Sequence, residues 1–205
     1  LDLSSEEKEL FDLLEKYTNR RLEKLDKKNK SATNFVLKIL KKRALSSMSA
    51  IRNSLEVHLR NLGGDAVSKV SESIINNRIS KEDDDFDNDQ DKDLAQEEAL
   101  ESSGSVLSPL DQQELGWLTR MKNIAEGFDS DSEKIADTKL LALINWIKNN
   151  LITNDEWNEE RLIIFTEYRH TQDYIFNILA AQGFEDALQM IFGGMNEKDR
   201  KVINK

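Results

Sequence analysis

The sequence predicts a mainly helical protein with a partial α/β segment at its C-terminal end. One proline and eight glycines in 205 residues leave long stretches without helix breakers. Apolar residues recur three or four positions apart through most of the chain, which is the spacing of an amphipathic helix. A short run, LIIF at residues 162–165, interrupts this periodicity and is typical of a strand that is buried on both faces.

Residues 1–80 carry the start and stop signals of several helices. Ser4 to Glu7 has the capping-box pattern that begins a helix. Ser46-Ser47 can end one helix and cap the next, and Gly63-Gly64 supplies a left-handed stop. A further helix is predicted at 65–79. The helix between the serine and glycine signals carries its apolar residues on one stripe: Met48, Ile51, Leu55, Leu59 and Leu62.

Residues 81–108 are acidic and contain few apolar residues, which predicts a linker or a surface insertion. The carboxylates from Asp87 to Glu98 have the spacing of an EF-hand loop. Lys92, however, occupies the position where that loop requires glycine, so no calcium site is predicted. Because the chain has no cysteine and only two isolated histidines, we predict no metal site of another kind.

Residues 109–158 are predicted to be helical again. Ser108-Pro109 is the expected start of one helix, with the hydroxyl at the N-cap and proline at the first helical position. A second amphipathic helix follows in DTKLLALINWIKNN, residues 137–150. The three tryptophans of the chain are expected to anchor the core or an interface.

Residues 159–205 have the pattern of strand, helix, strand and helix. The apolar run is the first predicted strand, and Thr171 is expected to cap a helix that Gly183 ends. A second strand is predicted at 187–191, followed by a Gly193-Gly194 turn into another helix. Since two strands are too few for a covered parallel sheet, we expect the domain to continue beyond this chain.

The net charge of -10 hides an asymmetry that bears on the partners of the protein. Residues 20–60 contain 12 Lys and Arg against 3 Asp and Glu, whereas residues 82–114 contain 1 Lys against 13 Asp and Glu. A basic helical region can follow a phosphate backbone, although a solvated helix face has the same composition. The basic candidates for nucleic-acid binding are Arg20, Arg21, Lys24, Lys27, Lys28, Lys30, Lys41, Lys42 and Arg43.

No apolar run approaches the length of about 20 residues that spans a bilayer. No signal peptide is recognised at the first residue. We therefore predict a soluble, cytoplasmic protein without a membrane partner.

Several segments resemble parts of a known motor family. RLIIFTEYRHTQDYI, followed by GFEDALQMIFGGMNEKDR, resembles the start of the second RecA-like lobe of superfamily-two helicases and translocases, in which FTEYR is motif IV. DTKLLALINWI is similar to the helix that leads into that lobe. LKKRALSSMSAIRNSLEVHLRNL resembles a helical segment between the lobes of bacterial Swi/Snf-like helicases. The resemblance implies an interlobe helical region at 1–80, a lead-in at 109–158 and a truncated lobe at 159–205.

The resemblance also implies site residues and partners. Thr166 would contact a nucleic-acid phosphate through its hydroxyl and amide, Arg169 would add charge, and Gly193-Gly194 would lie nearby. An ordinary exposed turn between strand and helix would have the same residues. DNA or RNA and the first motor lobe are the implied partners, and ATP with Mg²⁺ the implied cofactors of the complete motor.

The chain lacks the phosphate loop and the D-E-x-x box that this family carries on its first lobe. We therefore expect no catalytic residue here and no ATP hydrolysis by the chain alone. Two functions follow from the sequence: a part of an ATP-dependent helicase or translocase that braces the motor lobes and supplies motif IV, or a non-enzymatic helical interaction module.

Overall fold

The computed structural model describes residues 1–24, 30–63, 96–98, 100–101, 107–128, 136–193 and 195. These residues are mainly helical, as predicted, and form two hydrophobic cores. The predicted helix at 65–79 and most of the acidic segment lie outside the described residues.

In the part of the chain that the structure describes, most of the first core comes from α1 (Ser5–Glu23), α2 (Lys30–Ser46), α3 (Met48–Gly63) and α4 (Gln112–Glu126). Helices α1 and α3 both pack on α4, and α2 packs on α1 and α3. Each helix buries the apolar stripe that its sequence predicts, because removal of that stripe from water is the main driving force for packing. The largest fully buried apolar side chains on these helices are Leu10, Tyr17, Ile39, Leu40, Ile51, Leu55, Leu118 and Met121.

Two of the predicted helix ends are confirmed. The Ser4 hydroxyl accepts from the backbone N–H of Glu7 at 3.1 Å, and the Glu7 carboxylate accepts from the Ser4 N–H at 2.8 Å, which completes the capping box. Helix α2 ends at Ser46, and the Ser47 hydroxyl accepts from the Ala50 N–H at 3.1 Å to cap α3.

The start of α4 differs from the prediction. Asp111, and not Ser108, is the N-cap, and a second capping box joins Asp111 to Glu114. The carboxylates of Asp111 and Glu114 are better suited to this helix start than the Ser108 hydroxyl, because the helix N-terminus carries partial positive charge. The basic end of α1 also lies beside them. Ser108 instead accepts from Arg21 through its carbonyl and its hydroxyl.

The described end of the acidic segment belongs to the helical region. Residues 96–98, 100 and 101 are helical, and Leu100 is completely buried in the first core together with Leu107. Leu100 and Leu107, which lie among many carboxylates in the sequence, are therefore part of the apolar core.

The second core lies between α5 (Thr138–Asn150) and α6 (Arg169–Leu179). Asp137 caps α5 and accepts from the Leu140 N–H at 3.0 Å. After α6 the chain passes through a π turn (Ala180–Phe184), in which Gly183 has a φ of 84°, and a 3-10 turn (Glu185–Ala187). Gly183 therefore ends the regular helix in the left-handed conformation that glycine favours.

A small hairpin that the sequence reading missed connects α5 to the following segment. Strands β1 (Ile152–Thr153) and β2 (Glu156–Trp157) pair antiparallel. Asn154 and Asp155 make the turn with φ of 55° and 65°, a conformation that Asn and Asp tolerate. The ring centroids of Trp157 and Phe184 are 5.3 Å apart in an edge-to-face arrangement, although Trp157 remains half-exposed.

The two predicted strands at 162–165 and 187–191 do not form. Residues 162–165 have no regular structure, and Phe165 is 90% exposed where burial was predicted. Ala187 ends the 3-10 turn, and the residues after it are irregular. A strand needs a neighbour to pair its backbone, and in the described residues neither segment has one. The βαβ unit is therefore absent from the described structure.

Polar contacts join the two groups of helices. The Glu7 carboxylate accepts from the backbone N–H of Thr138 at 3.1 Å and from the Thr138 hydroxyl. Asp137 also accepts from the Met48 N–H at 3.5 Å, so it touches the first turn of α3 as well as that of α5. Burial alone would raise the pKa of Glu7, but the hydrogen bonds from Thr138 and Ser4 lower it below its ordinary value.

His58 lies inside the first core. Its Nε2 is 2.6 Å from the Tyr17 hydroxyl, which accepts from Arg21 Nε at 3.2 Å. Because the Tyr17 oxygen accepts from Arg21, its hydroxyl proton is donated toward His58 Nε2. That nitrogen is then the acceptor of a neutral imidazole. Burial, reinforced by the nearby positive charge of Arg21, lowers the pKa of His58 to about 3, and burial raises the pKa of Tyr17 to about 12.

The burial of neutral His58 predicts an acid sensitivity that begins near pH 6.5. In the unfolded chain the imidazole takes up a proton below its ordinary pKa of about 6.5, whereas folded His58 remains neutral down to about 3. The unfolded state therefore binds more protons, and the free energy of unfolding falls by up to about 1.4 kcal/mol per pH unit in this window. Urea denaturation from pH 7 to 4.5 measures the slope.

His58→Gln should reduce this slope above pH 4.5, where the hydrogen-bonded carboxylates such as Glu7 have not yet titrated. His170→Gln is the matched control, because His170 lies at the surface beside Glu97. An unchanged slope in His58→Gln would show that other groups cause the acid sensitivity.

Candidate nucleic-acid interface

Three positions that the resemblance singled out line one cavity of about 390 Å³: Thr166, Arg169 and Gly193. The first two come directly before and at the start of α6, and the third comes after the chain has returned along that helix. The cavity therefore brings together residues that are 27 positions apart. The other lining residues are Ile164, Phe165, Glu167, Tyr168, Gln172, Ile191 and Phe192.

Side chains of α6 hold the two walls of this cavity together. Gln172 Nε2 donates to the Ile191 carbonyl at 2.8 Å. The Arg169 guanidinium lies 3.8 Å from the centre of the Phe192 ring. Sequence reading did not identify Gln172 or Phe192, although Gln172 is three residues after Arg169 and so shares its helix face.

The charge of Arg169 is shared with its own helix. One guanidinium nitrogen donates to Gln172 Oε1 at 2.7 Å, and another pairs with Asp173 Oδ1 at 3.1 Å. The pair is partly exposed on both sides, and such surface pairs contribute less than about 1 kcal/mol. A phosphate entering the cavity can therefore compete for the guanidinium.

The N-terminus of α6 opens toward the same cavity. Tyr168 is the N-cap and supplies no side-chain hydrogen bond to the helix, which begins at Arg169 and not at the predicted Thr171. The hydroxyl of Thr171 is instead 2.7 Å from that of Ser46 and 3.0 Å from that of Ser47. An uncapped helix start presents backbone N–H groups and partial positive charge, which suit an anion.

A second cavity of about 240 Å³ shares Phe165, Thr166 and Glu167 with the first. It extends between the α2–α3 corner and α5. Thr166 therefore lies between the two cavities, and its hydroxyl is 3.4 Å from the Tyr168 carbonyl.

The basic residues of α2 separate into an exposed stripe and a buried arginine. Lys41 and Lys42 are exposed. Lys30 and Lys38 are exposed at helical spacing on the same side, and Lys38 had not been identified from the sequence. These four lysines form the α2 lysine stripe.

Arg43, the neighbour of Lys42, lies inside the protein. It is 1% exposed, and its guanidinium is 4.0 Å from the centre of the Tyr168 ring. In this position it cannot reach an external phosphate. Its contact instead supports the residue that begins α6, and thus the wall of the larger cavity.

The basic end of α1 is also engaged within the protein. Arg21 is 2% exposed and lies 3.4 Å from Glu114, which is completely buried. Lys24 Nζ contacts Asp111 at 2.6 Å and Glu114 at 3.0 Å, and Arg20 contacts Asp111 at 2.6 Å. These five residues form the α1–α4 charge cluster.

The cluster changes the interpretation of the predicted basic surface. Hydrogen bonds from Lys24, from the Glu114 backbone and from Arg20 hold the pKa of Asp111 far below its ordinary value. Arg21 is not accessible to a phosphate, and Arg20 and Lys24 are paired and only partly exposed. Lys27, Lys28 and Gly194 lie outside the described residues.

Within the described ranges, no group of three or more Asp, Glu, His or Cys side chains is placed to hold a metal ion. Among the described helices, none combines the length and the apolar character that a membrane span requires. Comparisons of the chain with models of protein families, with curated proteins and with solved structures gave no match.

The buried part of the charge cluster predicts a large effect of one neutral substitution. Glu114→Gln retains the shape and the capping hydrogen bond to Asp111 but leaves Arg21 buried without its counter-charge. Loss of one partner of a buried pair costs about 3–5 kcal/mol, which urea denaturation at pH 7 measures. Glu9→Gln, which breaks an exposed pair with Arg120, is the control and should change the free energy of unfolding little. Equal effects would contradict the assignment.

The position of Arg43 predicts a structural effect. Arg43→Met should lower the free energy of unfolding by about 2 kcal/mol, because a desolvated cation–aromatic contact with Tyr168 is lost. Lys42→Met, next to it on the exposed side, should have little effect. Combining Arg43→Met with Tyr168→Leu should cost less than the sum of the single changes. Strict additivity would show that the two side chains do not interact.

Proposed function

We propose that the chain binds the phosphate backbone of nucleic acid at the cavity formed by the start of α6 and residues 191–193. We further propose that it serves in this way within an ATP-dependent helicase or translocase, where its helices brace the motor lobes. The chain would contribute binding and not hydrolysis.

One observation carries the proposal. Thr166, Arg169 and Gly193 were singled out from sequence motifs that are separated along the chain, and they line a single cavity. A chance resemblance gives no reason for these positions to meet. The RecA-like character of residues 159–205 remains part of the proposal, since the strands of that fold are not formed in the described residues.

The chemistry of the cavity suits a phosphate group. It combines a threonine hydroxyl, a partly exposed guanidinium and the uncapped start of an 11-residue helix. Glu167 and Asp173 oppose this charge, so the attraction is local and moderate. Contacts of this kind position a nucleic-acid backbone without reading its sequence.

The α2 lysine stripe is proposed as a second contact for the backbone. Its lysines lie on the exposed face of α2, whereas Arg43 on the opposite, buried face packs on Tyr168, which lines the cavity. Lysines on one helix face neutralise successive phosphates without base contacts.

ATP and Mg²⁺ belong to the proposed motor and not to this chain. The sequence has no phosphate loop, and the described residues include no cluster of three or more carboxylates placed to hold a metal ion. The residues present do not fit the nucleotide, so we assign no step of ATP hydrolysis to them.

A helical interaction module is the second candidate. It is favoured by the α1–α4 charge cluster, in which much of the basic charge that suggested nucleic acid is neutralised internally. The two candidates differ in whether the chain binds oligonucleotides at low salt.

The proposal predicts weak, sequence-independent binding that depends steeply on salt. We expect labelled single-stranded and duplex oligonucleotides to bind the chain in fluorescence anisotropy at low ionic strength. Arg169→Gln should reduce affinity and should flatten the plot of log affinity against log salt by about 0.7–0.9, the value of one lost phosphate contact. Arg60 is an exposed arginine of α3, so Arg60→Gln is the matched control. It should leave the affinity and the salt dependence unchanged.

The lysine stripe provides a second arm of the same experiment. Lys41→Gln combined with Lys42→Gln should flatten the slope further, whereas Lys8→Gln with Lys16→Gln on the exposed side of α1 should not. If neither oligonucleotide binds at low salt, the nucleic-acid function is wrong and the interaction module is favoured. If binding occurs but Arg169→Gln leaves it unchanged, the cavity is not the site.

A further inference from the structure

Phe165 has the most exposed large apolar side chain in the part of the chain that the structure describes, at 90%. Within the same part, no other aromatic ring and no cation is stacked on its ring. A single apolar side chain at a surface is common and needs no explanation by itself. The position of Phe165 is more informative than its exposure, because Phe165 lines both the larger and the smaller cavity.

The phosphate-binding residue Thr166 directly follows this ring. It also lines both cavities, and its Cα atom is about 3.8 Å from that of Phe165, as for any two consecutive residues. A nucleotide whose phosphate is held at Thr166 in the larger cavity therefore has its base beside Phe165. The two side chains together offer one contact for a charged group and one for a flat apolar ring.

The smaller cavity suits an uncharged ring better than a second phosphate. Its charged lining residues are Asp137, Glu167 and Lys139, and the Lys139 Nζ already donates to the backbone carbonyls of Leu45 and Ser46. At about 240 Å³ the cavity is smaller than the roughly 300 Å³ at which pockets for drug-sized ligands begin, so it has room for one small ring system. Apolar and aromatic side chains form much of its lining: Leu140, Leu143, Phe165, Tyr174 and Ile175.

Three hydroxyl groups of the smaller cavity form one cluster. The Thr171 hydroxyl bonds to those of Ser46 and Ser47. Ser46 is half-buried, whereas Ser47 and Thr171 are buried. Because a hydroxyl both donates and accepts, Ser46 can pair with the edge of any base. The polar part of the cavity therefore selects no particular base.

We propose that the nucleic-acid partner is a single strand, and that one unpaired base stacks on Phe165 at the smaller cavity. This inference rests on the proposed function, since Thr166 holds the phosphate in the larger cavity while Phe165 takes the base. Stacking on an aromatic side chain tolerates every base, because each base has a π face. The site thus responds to the presence of an unpaired base and not to its identity.

A duplex offers this site less than a single strand does. Its bases are paired and stacked on one another, so an internal base reaches Phe165 only after a costly exit from the helix. The phosphates of a duplex remain accessible to Thr166 and Arg169, because phosphate contacts need no open bases. Duplex binding should therefore be weaker and should not depend on Phe165.

Oligonucleotides with and without bases test the inference. Fluorescence anisotropy of the full chain at low ionic strength compares three labelled probes: a mixed-sequence single strand, a strand of equal length that is abasic throughout, and the duplex. The abasic strand keeps the phosphates and lacks the rings. We expect the normal strand to bind roughly tenfold more tightly than the abasic strand, which is the size of one base–aromatic contact. It should also bind more tightly than the duplex.

Variants of Phe165 assign this difference to one side chain. Phe165→Ala should remove the advantage of the normal strand and leave the other two probes unchanged, whereas Phe165→Trp should retain it. Because Phe165 is so exposed, neither change should alter the circular dichroism or the thermal midpoint. Trp146 is a half-exposed aromatic residue of α5 outside the lining of both cavities, so Trp146→Ala is the matched control.

The outcomes separate this inference from the proposed function. If none of the three probes binds at low salt, the proposed function fails and the base contact fails with it. If the abasic strand and the duplex bind as tightly as the normal strand, phosphate binding stands and the base contact is overturned. An equal loss for all three probes in Phe165→Ala also overturns it, because Phe165 would then only shape the phosphate site. A single-strand preference that survives Phe165→Ala places the base elsewhere.

Discussion

The buried ion pair between Arg21 and Glu114 is the contact on which the first group of helices depends. It joins the last turn of α1 to the first turn of α4. Each charge also has the sign that its helix end favours, since cations stabilise a C-terminus and anions an N-terminus. The basic and acidic halves of the sequence, which suggested different external partners, meet here within one molecule. Phosphate contacts must therefore come from the charges that remain outside the cluster.

The second group of helices is attached in a different way. Whereas α1 to α4 share an apolar core, α5 and α6 are tied to them through hydroxyls and carboxylates: Glu7 to Thr138, Asp137 to Met48, and Ser46 and Ser47 to Thr171. Directional bonds of this type fix an orientation, because each requires its own distance and angle. The start of α6, and with it the proposed binding cavity, is thus oriented by the corner between α2 and α3.

Much of the helical framework could be predicted, because helix caps and apolar stripes are local properties of sequence. The Ser4 box, the Ser46-Ser47 break and the Gly183 stop are all in place. The capping box at Asp111 was visible in the same way but was passed over in favour of Ser108-Pro109. The strands failed for a different reason, since an apolar run becomes a strand only when a partner strand is present.

The candidate site could be predicted only in part. Motif positions indicated Thr166, Arg169 and Gly193, but the role of Arg43 could not be read from its basic neighbours. One face of α2 is solvated and the other packs on Tyr168. The sequence KKR at residues 41–43 does not show which of its three residues lies on the buried face. Such burial is decided by tertiary packing over 125 residues of separation, as between Ser46 and Thr171.

The shared carboxylate of Glu7 has a consequence for the order in which the chain folds. Its partner Thr138 is 131 positions away, and the partners of Arg20 and Arg21 are about as remote, at 91 and 87. Helices form within about a microsecond. The chain between two such partners, however, must close into a loop before their contact can stabilise the fold. Folding of this helical protein should accordingly be paced by long-range closure, and it should be slower than is usual for helical bundles with local contacts.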